Sequence, residues 1–278
     1  MPVTLVKLGG SLLTDKKTPE TDRPGVIARL AQEIGAVSPL EGGLIVGHGS
    51  GSFGHVVAAR FEVHRGLRRP EKQRPGVSLT QQRAAELHRR VVCALAAALE
   101  PRGTGPFSIA PSSALVTAGG RPAALALEPV VLALAAGLVP VIYGDIVMDR
   151  EQGCAICSTE GVFEALVDGL PKHGLQVSKI LWLGETGGVW DVDGQPIPRI
   201  TPATAEGALE AVGGSAGTDV TGGMRHRVET ALELARRGIA SWIGDGREPG
   251  RLQQALAAHD IGSAAEPVPG TWVVPDDP

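Results

Sequence analysis

The sequence predicts an α/β fold, a three-layer αβα sandwich with a mostly parallel central sheet. Short aliphatic runs alternate with helical patterns along most of the chain, the order that covers both faces of a parallel sheet with helices. Glycine-rich turns follow the early strand candidates and lead into helices. The 278 residues are 43% hydrophobic and 20% charged, an ordinary globular mix that suits one large domain or two small ones.

Residues 3–8 form the first strand candidate, stopped by Gly9 and Gly10. A helix is expected over 25–37, where Val26, Ile27, Leu30, Ile34 and Val37 share a face. Residues 44–46 make a second strand that runs into a glycine-rich turn, and 79–99 make a long helix rich in Ala, Gln and Arg. A short strand over 108–110 precedes Pro111. The longest apolar stretch, 123–143, is interrupted by Glu128, Pro129 and Pro140. It therefore reads as helix, turn and buried strand (138–143), not as a membrane span. Residues 146–148 and 155–157 can pair as a hairpin. A helix over 160–170, a strand over 179–183, a helix over 224–237, a strand over 239–243 and a last helix over 251–258 complete the pattern. The chain shows no internal repeat. The Gly/Pro/polar region 169–177 is the one candidate boundary, between two lobes that share a sheet.

Composition excludes several functions. Lys and Arg number 26 against 30 Asp and Glu, for a net charge of −4, and no basic stripe is present to neutralise a nucleic-acid backbone. With only 4 Trp, 4 Phe and 1 Tyr, base stacking on aromatic platforms is not expected. The 38 Gly and 21 Pro follow no fixed period, which excludes a fibre. Three cysteines make no disulfide framework, and Lys7 interrupts the first apolar run where a signal peptide would need none. A cytoplasmic protein without membrane or nucleic-acid partners is the expectation.

Three glycine turns carry the chemical signal: Lys7-Leu-Gly-Gly-Ser11 with Thr14-Asp-Lys16, His48-Gly-Ser-Gly-Ser-Phe-Gly-His55, and Thr218-Asp-Val-Thr-Gly-Gly-Met-Arg-His-Arg227. Glycine lets a ligand approach the backbone, and the free N–H groups of a helix start bind anions, so three such turns point to several phosphates. The Gly49-x-Gly51-x-x-Gly54 spacing matches a dinucleotide fingerprint, but it ends the second strand, and Gln73-Arg74-Pro75 stands where the acidic residue belongs. A P-loop is excluded because the chain has no Gly-Lys dipeptide. Lys7 is costly inside an apolar strand unless its ammonium finds a partner, whereas Lys16 and Lys17 alone read as solvated surface charges. His48, at a strand end, is expected to orient the turn from behind. His64, His88, His173 and His259 have no comparable context.

These strings, with Pro111-Ser-Ser-Ala-Leu115, Tyr143-Gly-Asp-Ile146 and Asp219-Val-Thr-Gly-Gly-Met224 in the same order, resemble the amino acid kinase superfamily. Within it they are most similar to the isopentenyl phosphate kinase family, and the His48–His55 string is the specific part. The resemblance implies ATP-dependent phosphorylation of a small-molecule phosphate, with Mg²⁺ carried by the nucleotide, in a homodimer. It divides the chain into an acceptor lobe over 1–172 and a nucleotide lobe over 173–278. Lys7, Lys16 and Arg227 would bear the transferring charge, and Gly9, Gly10, Ser11, Gly51 and Gly223 would offer backbone contacts to the nucleotide. Glu160 would orient the lysines, with Glu185 a second carboxylate on the nucleotide side. His55, Ser50 and Gly144 would hold the acceptor phosphate, and Val77, Thr80, Ile146 and Ile156 its tail. Such chemistry is positioning plus charge neutralisation, and His55 would donate a hydrogen bond more than abstract a proton.

The nucleotide half departs from the family's pattern. Its usual Thr-Asp-Val-Asp-Gly-Val-Tyr reads Gly184-Glu-Thr-Gly-Gly-Val-Trp190, its Ser-Gly-Asp-Asp reads Ser158-Thr-Glu-Gly161, and Arg227 replaces a lysine. Cys154-x-x-Cys157 lacks a second pair, and a strand there would point the two thiols to opposite faces, so no metal site is expected. Two rival readings stay open: a kinase of another small phosphate or phosphonate such as fosfomycin, and a non-catalytic sensor on the same fold.

Overall fold

The computed structural model describes residues 1–214, 223–258 and 268–276. Its strands are β1 (Pro2–Leu8), β2 (Leu44–His48), β3 (Pro106–Ser108), β4 (Leu115–Ala118), β5 (Arg121–Leu125), β6 (Val139–Tyr143), β7 (Asp145–Asp149), β8 (Gly153–Cys157), β9 (Gln176–Gly184), β10 (Arg199–Ile200), β11 (Ala240–Asp245) and β12 (Thr271–Val273). Its helices are α1 (Gly10–Leu13), α2 (Pro24–Val37), α3 (Gly51–Arg60), α4 (Pro70–Leu99), α5 (Pro111–Ala114), α6 (Glu128–Ala135), α7 (Thr159–Gly169), α8 (Ala205–Gly214), α9 (Gly223–Arg236) and α10 (Arg251–Ala257).

The central strands are apolar along their length, and every residue of β2 and β6 is buried. Such strands need cover on both faces. Along β1 the side chains alternate: Val3 and Leu5 enter one apolar core, Val6 and Leu8 the other. The first core holds the buried sides of α6, α7, α8 and α9, and the second those of α2, α3, α4 and α10. This is the expected three-layer sandwich. The main sheet runs β10-β12-β11-β9-β1-β2-β6-β3, parallel except where β11 meets β12. A smaller sheet, β5-β4-β7-β8, contains the expected β7–β8 hairpin. The expected boundary at 172/173 falls in a short 3₁₀ turn over Leu170–His173, after which β9 enters the middle of the sheet beside β1. Among the described residues no helix is long and apolar enough to cross a membrane.

Several elements differ from expectation: β3 covers Pro106–Ser108 where a strand over 108–110 is expected, α5, α8, β10 and β12 are not expected from the sequence, and two further departures have a visible cause. The long helix starts at Pro70, nine residues before position 79, and carries Pro75 inside it. Tertiary contacts hold the extra turns. Gln73 is buried, accepts from the Arg69 N–H at 2.7 Å and donates to the Glu62 carbonyl at 3.1 Å. Gly76 packs so closely on Phe61 that a Cβ there would stand 2.2 Å from the Phe61 Cβ. The β4–β5 hairpin has no strong local pattern, and one distant carboxylate shapes it. Asp149 accepts from the Thr117 hydroxyl at 2.8 Å and the N–H groups of Gly119 and Gly120 at 3.2 and 2.7 Å, which turn that hairpin. It also accepts from the N–H groups of Glu151 and Gln152 in its own turn, at 2.8 and 2.9 Å.

Burial works against the Asp149 charge, yet these donors hold its carboxyl far below the usual carboxylate range. A group depressed in this way contributes stability above its unfolded pKa and loses it as the pH falls below about 4. Asp149→Asn turns an amide N–H₂ toward two or more of these donors. We expect the variant to lose about 2 kcal/mol or more in urea unfolding at neutral pH. Its deficit should narrow on acidification, and an unchanged unfolding midpoint would remove Asp149 from this role.

Candidate active site

Register places the glycine turns side by side. Leu8 at the end of β1 stands across from His48 of β2 and Leu183 of β9, and His48 stands across from Tyr143 of β6. Each turn continues the ladder by one rung: Gly9 N–H donates to the Leu183 carbonyl at 2.9 Å, Gly49 N–H to Leu8 at 3.0 Å, and Gly144 N–H to His48 at 2.9 Å. From β1 the chain continues to β2 and β6 on one side, and β9 and β11 lie on the other. Ligand crevices form at such a switch point, outside the carboxyl ends of the strands.

The first two turns touch through their backbones. A Cβ on Gly10 would stand 2.6 Å from the Gly51 nitrogen, and one on Gly49 would stand 2.8 Å from the Gly10 nitrogen. Thr14 fastens the contact, donating its hydroxyl to the Gly10 carbonyl at 2.8 Å and accepting from the Ser52 N–H at 3.0 Å. Gly51 takes a φ of +51°, which a side chain disfavours, while Ser50 sits at a relaxed −76°.

Here lies a cavity of about 530 Å³ that brings together Lys7, Lys16, His55, Gly144, Ile156 and Glu160. Helices α1, α3 and α7 point their first turns at it. The amides of Gly10, Ser11, Ser50, Gly51 and Thr159 line it and have no protein acceptor among the described residues. Lys7 is buried in β1 and pairs with Glu160 at the start of α7. Burial pushes the Lys7 ammonium below its ordinary range, against the pull of Glu160. Burial works to raise Glu160, but the Lys7 charge and hydrogen bond outweigh it and hold the carboxyl low. Glu160 also lines an adjoining cavity of about 150 Å³, with Trp182, His226, Arg227 and Thr230. The Arg227 guanidinium reaches β9, where a Cβ on Gly184 would stand 3.4 Å from its Nη1.

Other expected residues sit differently. Lys16 reaches the main cavity, but its side chain is 70% exposed and its Nζ lies 3.5 Å from a Glu185 carboxylate oxygen. The other Glu185 oxygen accepts from Arg23 at 3.1 Å. Glu185 thus anchors two cations of the β1–α2 loop and lines neither cavity. Gly9 lies in the turn, with its N–H given to Leu183. Gly144 meets the cavity, but its N–H is held by the His48 carbonyl, so it is not a free donor as the resemblance implies. His55 is exposed on the second turn of α3, near the helix start. Its ring has no hydrogen-bond partner among the described residues. Thr80 and Ile156 line a small pocket beside His55, with room for about 10 Å³. Val77 and Ile146 pack behind it with Ala58, Val63 and Cys154. Gly223 opens α9, and residues 218–222 of the third turn lie outside the described residues, as does His259. Cys154 and Cys157 enter different apolar cores, as strand geometry requires, and among the described residues no His/Cys/Asp/Glu group could hold a metal ion.

A family model described as the amino acid kinase family matches residues 2–245. The chain belongs to the amino acid kinase family. Among curated relatives, an isopentenyl phosphate kinase of Methanothermobacter thermautotrophicus is 31% identical, over 92% of this chain and 96% of the relative. One of Haloferax volcanii is 34% identical, over 91% of this chain and 98% of the relative. A solved structure described as "X-ray structures of isopentenyl phosphate kinase" superposes with a TM-score of 0.76 at 26% identity, covering 97% of this chain and 99% of that one.

Behind the second glycine turn His48 sits as expected, and His88, to which the sequence gave no role, joins it. His48, His88 and Tyr143 stack, with ring centroids 4.2 to 5.7 Å apart. His48 Nδ1 lies 3.1 Å from the Gly49 carbonyl, so it carries the proton and Nε2 is an acceptor. His88 Nδ1–H must then donate to His48 Nε2 across 2.9 Å, and His88 Nε2 accepts from the Ser108 hydroxyl at 2.6 Å. The relay pins the Gly49 carbonyl and requires both imidazoles neutral. His88 stands on α4, forty residues from His48, so no local signal marks it.

Burial pushes His48 down to about 4, and burial with the neighbouring His48 pushes His88 down to about 3. In the unfolded chain each takes up a proton near pH 6.5. Stability must therefore fall as the pH drops from 6.5 toward 4, by up to about 1.4 kcal/mol per unit for each histidine. Urea unfolding across pH 7 to 5 should show this slope, and His88→Gln should roughly halve it. An equal slope in the variant would contradict the relay. At the cavity, Glu160→Gln leaves the buried Lys7 charge without a counter-charge, and a cost of about 3 kcal/mol is expected in the same measurement.

Proposed function

We propose that the chain transfers the γ-phosphoryl group of ATP to isopentenyl phosphate, giving isopentenyl diphosphate and ADP. The supporting observation is the convergence of two lysines, His55 and the first amides of three helices on one cavity. The curated isopentenyl phosphate kinases, matched over nearly their whole length, support the choice of acceptor. In the reaction an acceptor phosphate oxygen attacks in line, a new P–O bond forms to the γ-phosphorus, and the bond to the β,γ-bridging oxygen breaks.

In this reading Lys7 and Lys16 face the transferring phosphoryl group, and Arg227 faces the donor side across Glu160. Lys16 leaves Glu185 for the phosphates when they arrive, and Arg23 keeps Glu185 paired. His55 donates to the acceptor phosphate. It needs no proton abstraction, because the attacking oxygen is already anionic. The amides of Gly10, Ser11, Ser50 and Gly51 meet the phosphates, and Gly223 and the third turn belong to the donor side. Residues 1–172 serve the acceptor and residues 173–278 the nucleotide, in a cytoplasmic homodimer. Mg²⁺ suits this donor set as a passenger on ATP, since the one carboxylate lining the main cavity among the described residues, Glu160, is committed to Lys7. When bound, the ion neutralises phosphate charge.

The test is ADP release with isopentenyl phosphate, fosfomycin and other small phosphates as acceptors. Turnover with isopentenyl phosphate is expected, and turnover with fosfomycin alone would replace this reading. His55→Ala should cut kcat/KM by about 10²–10³-fold with an unchanged Tm. Unaltered kinetics would take His55 out of the mechanism.

A further inference from the structure

The small pocket beside His55 is not uniformly apolar. Gly54, Ala58, Ala84 and Ile156 give it apolar walls, and Ser50, His55, Thr80 and Asp145 give it polar ones. Asp145 is satisfied: one carboxylate oxygen accepts from the Ile146 N–H at 2.8 Å and the other from the Ser112 N–H at 3.1 Å. Thr80 is not. It is 4% exposed, and its hydroxyl has no hydrogen-bond partner among the described residues. A threonine inside a helix usually returns its hydroxyl to the carbonyl one turn back, but Thr80 makes no such bond. A buried hydroxyl left this way is destabilising until something answers it. The open space is about 10 Å³, the room of a single water-sized group.

An isopentenyl tail offers no partner to this hydroxyl. A short branched tail that carries its own hydroxyl does. We propose that Thr80 is a specificity-determining residue that extends the acceptor class of this site to short branched alkyl phosphates with a hydroxyl on the tail. This rests on the kinase reading above and names what its acceptor pocket distinguishes. The simplest probe is 3-hydroxy-3-methylbutyl phosphate, which is isopentenyl phosphate with the elements of water added across its double bond. A site that hydrogen-bonds a substrate hydroxyl discriminates against the analogue that lacks it, whereas an apolar wall of equal size does not.

The experiment measures kcat/KM for both phosphates in the native protein, in Thr80→Val and in Thr80→Ser, with calorimetric Kd values for the same pairs. Valine keeps the volume and removes the hydroxyl, and serine keeps the hydroxyl. The hydroxylated acceptor should be phosphorylated by the native protein. Thr80→Val should lower the ratio of hydroxylated to isopentenyl acceptor by about 5–20-fold, and Thr80→Ser should preserve it. A merely structural threonine would change both acceptors alike, so a constant ratio across the three proteins overturns the proposal. Failure of the kinase reading shows separately, as binding of both phosphates without ADP release. The ratio of Kd values then supports the proposal if Thr80→Val lowers the relative affinity for the hydroxylated phosphate, and overturns it if not. No binding of the hydroxylated phosphate to the native protein also overturns it.

Discussion

A lysine in the central strand of the sheet is the constraint on which the site depends. Lys7 lies in β1, flanked on both sides by parallel strands and buried among apolar neighbours. Its ammonium cannot remain there alone, and Glu160 answers it from the first turn of α7. That helix is pressed on the sheet by Val162, Phe163 and Leu166 and capped by the Ser158 hydroxyl, which accepts from the Gly161 N–H. The pair therefore ties the position of a helix start to the strand end where the cavity opens. It also fixes the one carboxylate shared with the Arg227 side.

Around this pair, charge is handled locally. The chain as a whole is at −4, yet the cavity gathers two lysines and the open amides of three helix starts. The two nearest turns work as one body, because Gly10 and Gly51 meet backbone to backbone and Thr14 bonds to both sides. Behind them, the tautomers of His48 and His88 are dictated by a single carbonyl, that of Gly49. The cavity thus has a closely bonded floor, while Lys16 stands at the surface, paired with Glu185.

Sequence reading succeeded where the signal was local. The central strands, the β7–β8 hairpin and the helix over Pro24–Val37 follow from short patterns, and the clustering of Lys7, His55 and Glu160 from the family resemblance. It fell short where a distant residue decides the outcome. The long helix is expected from position 79, but Gln73 and Gly76 gain enough from Phe61 and Glu62 to carry it back through Pro75 to Pro70. The β4–β5 hairpin depends on Asp149, about thirty residues away. Gly144 reads as a free donor until register hands its N–H to His48.

Sequence by itself determined the layered α/β fold and the glycine turns at strand ends. Those are properties of periodicity and of backbone sterics, which act within a few residues. Only the tertiary structure decided which charges pair. Lys7 goes with Glu160, Lys16 and Arg23 with Glu185, His48 with His88, and Thr80 with none among the described residues. Pairing at such separations depends on strand register and helix docking, which no local pattern contains.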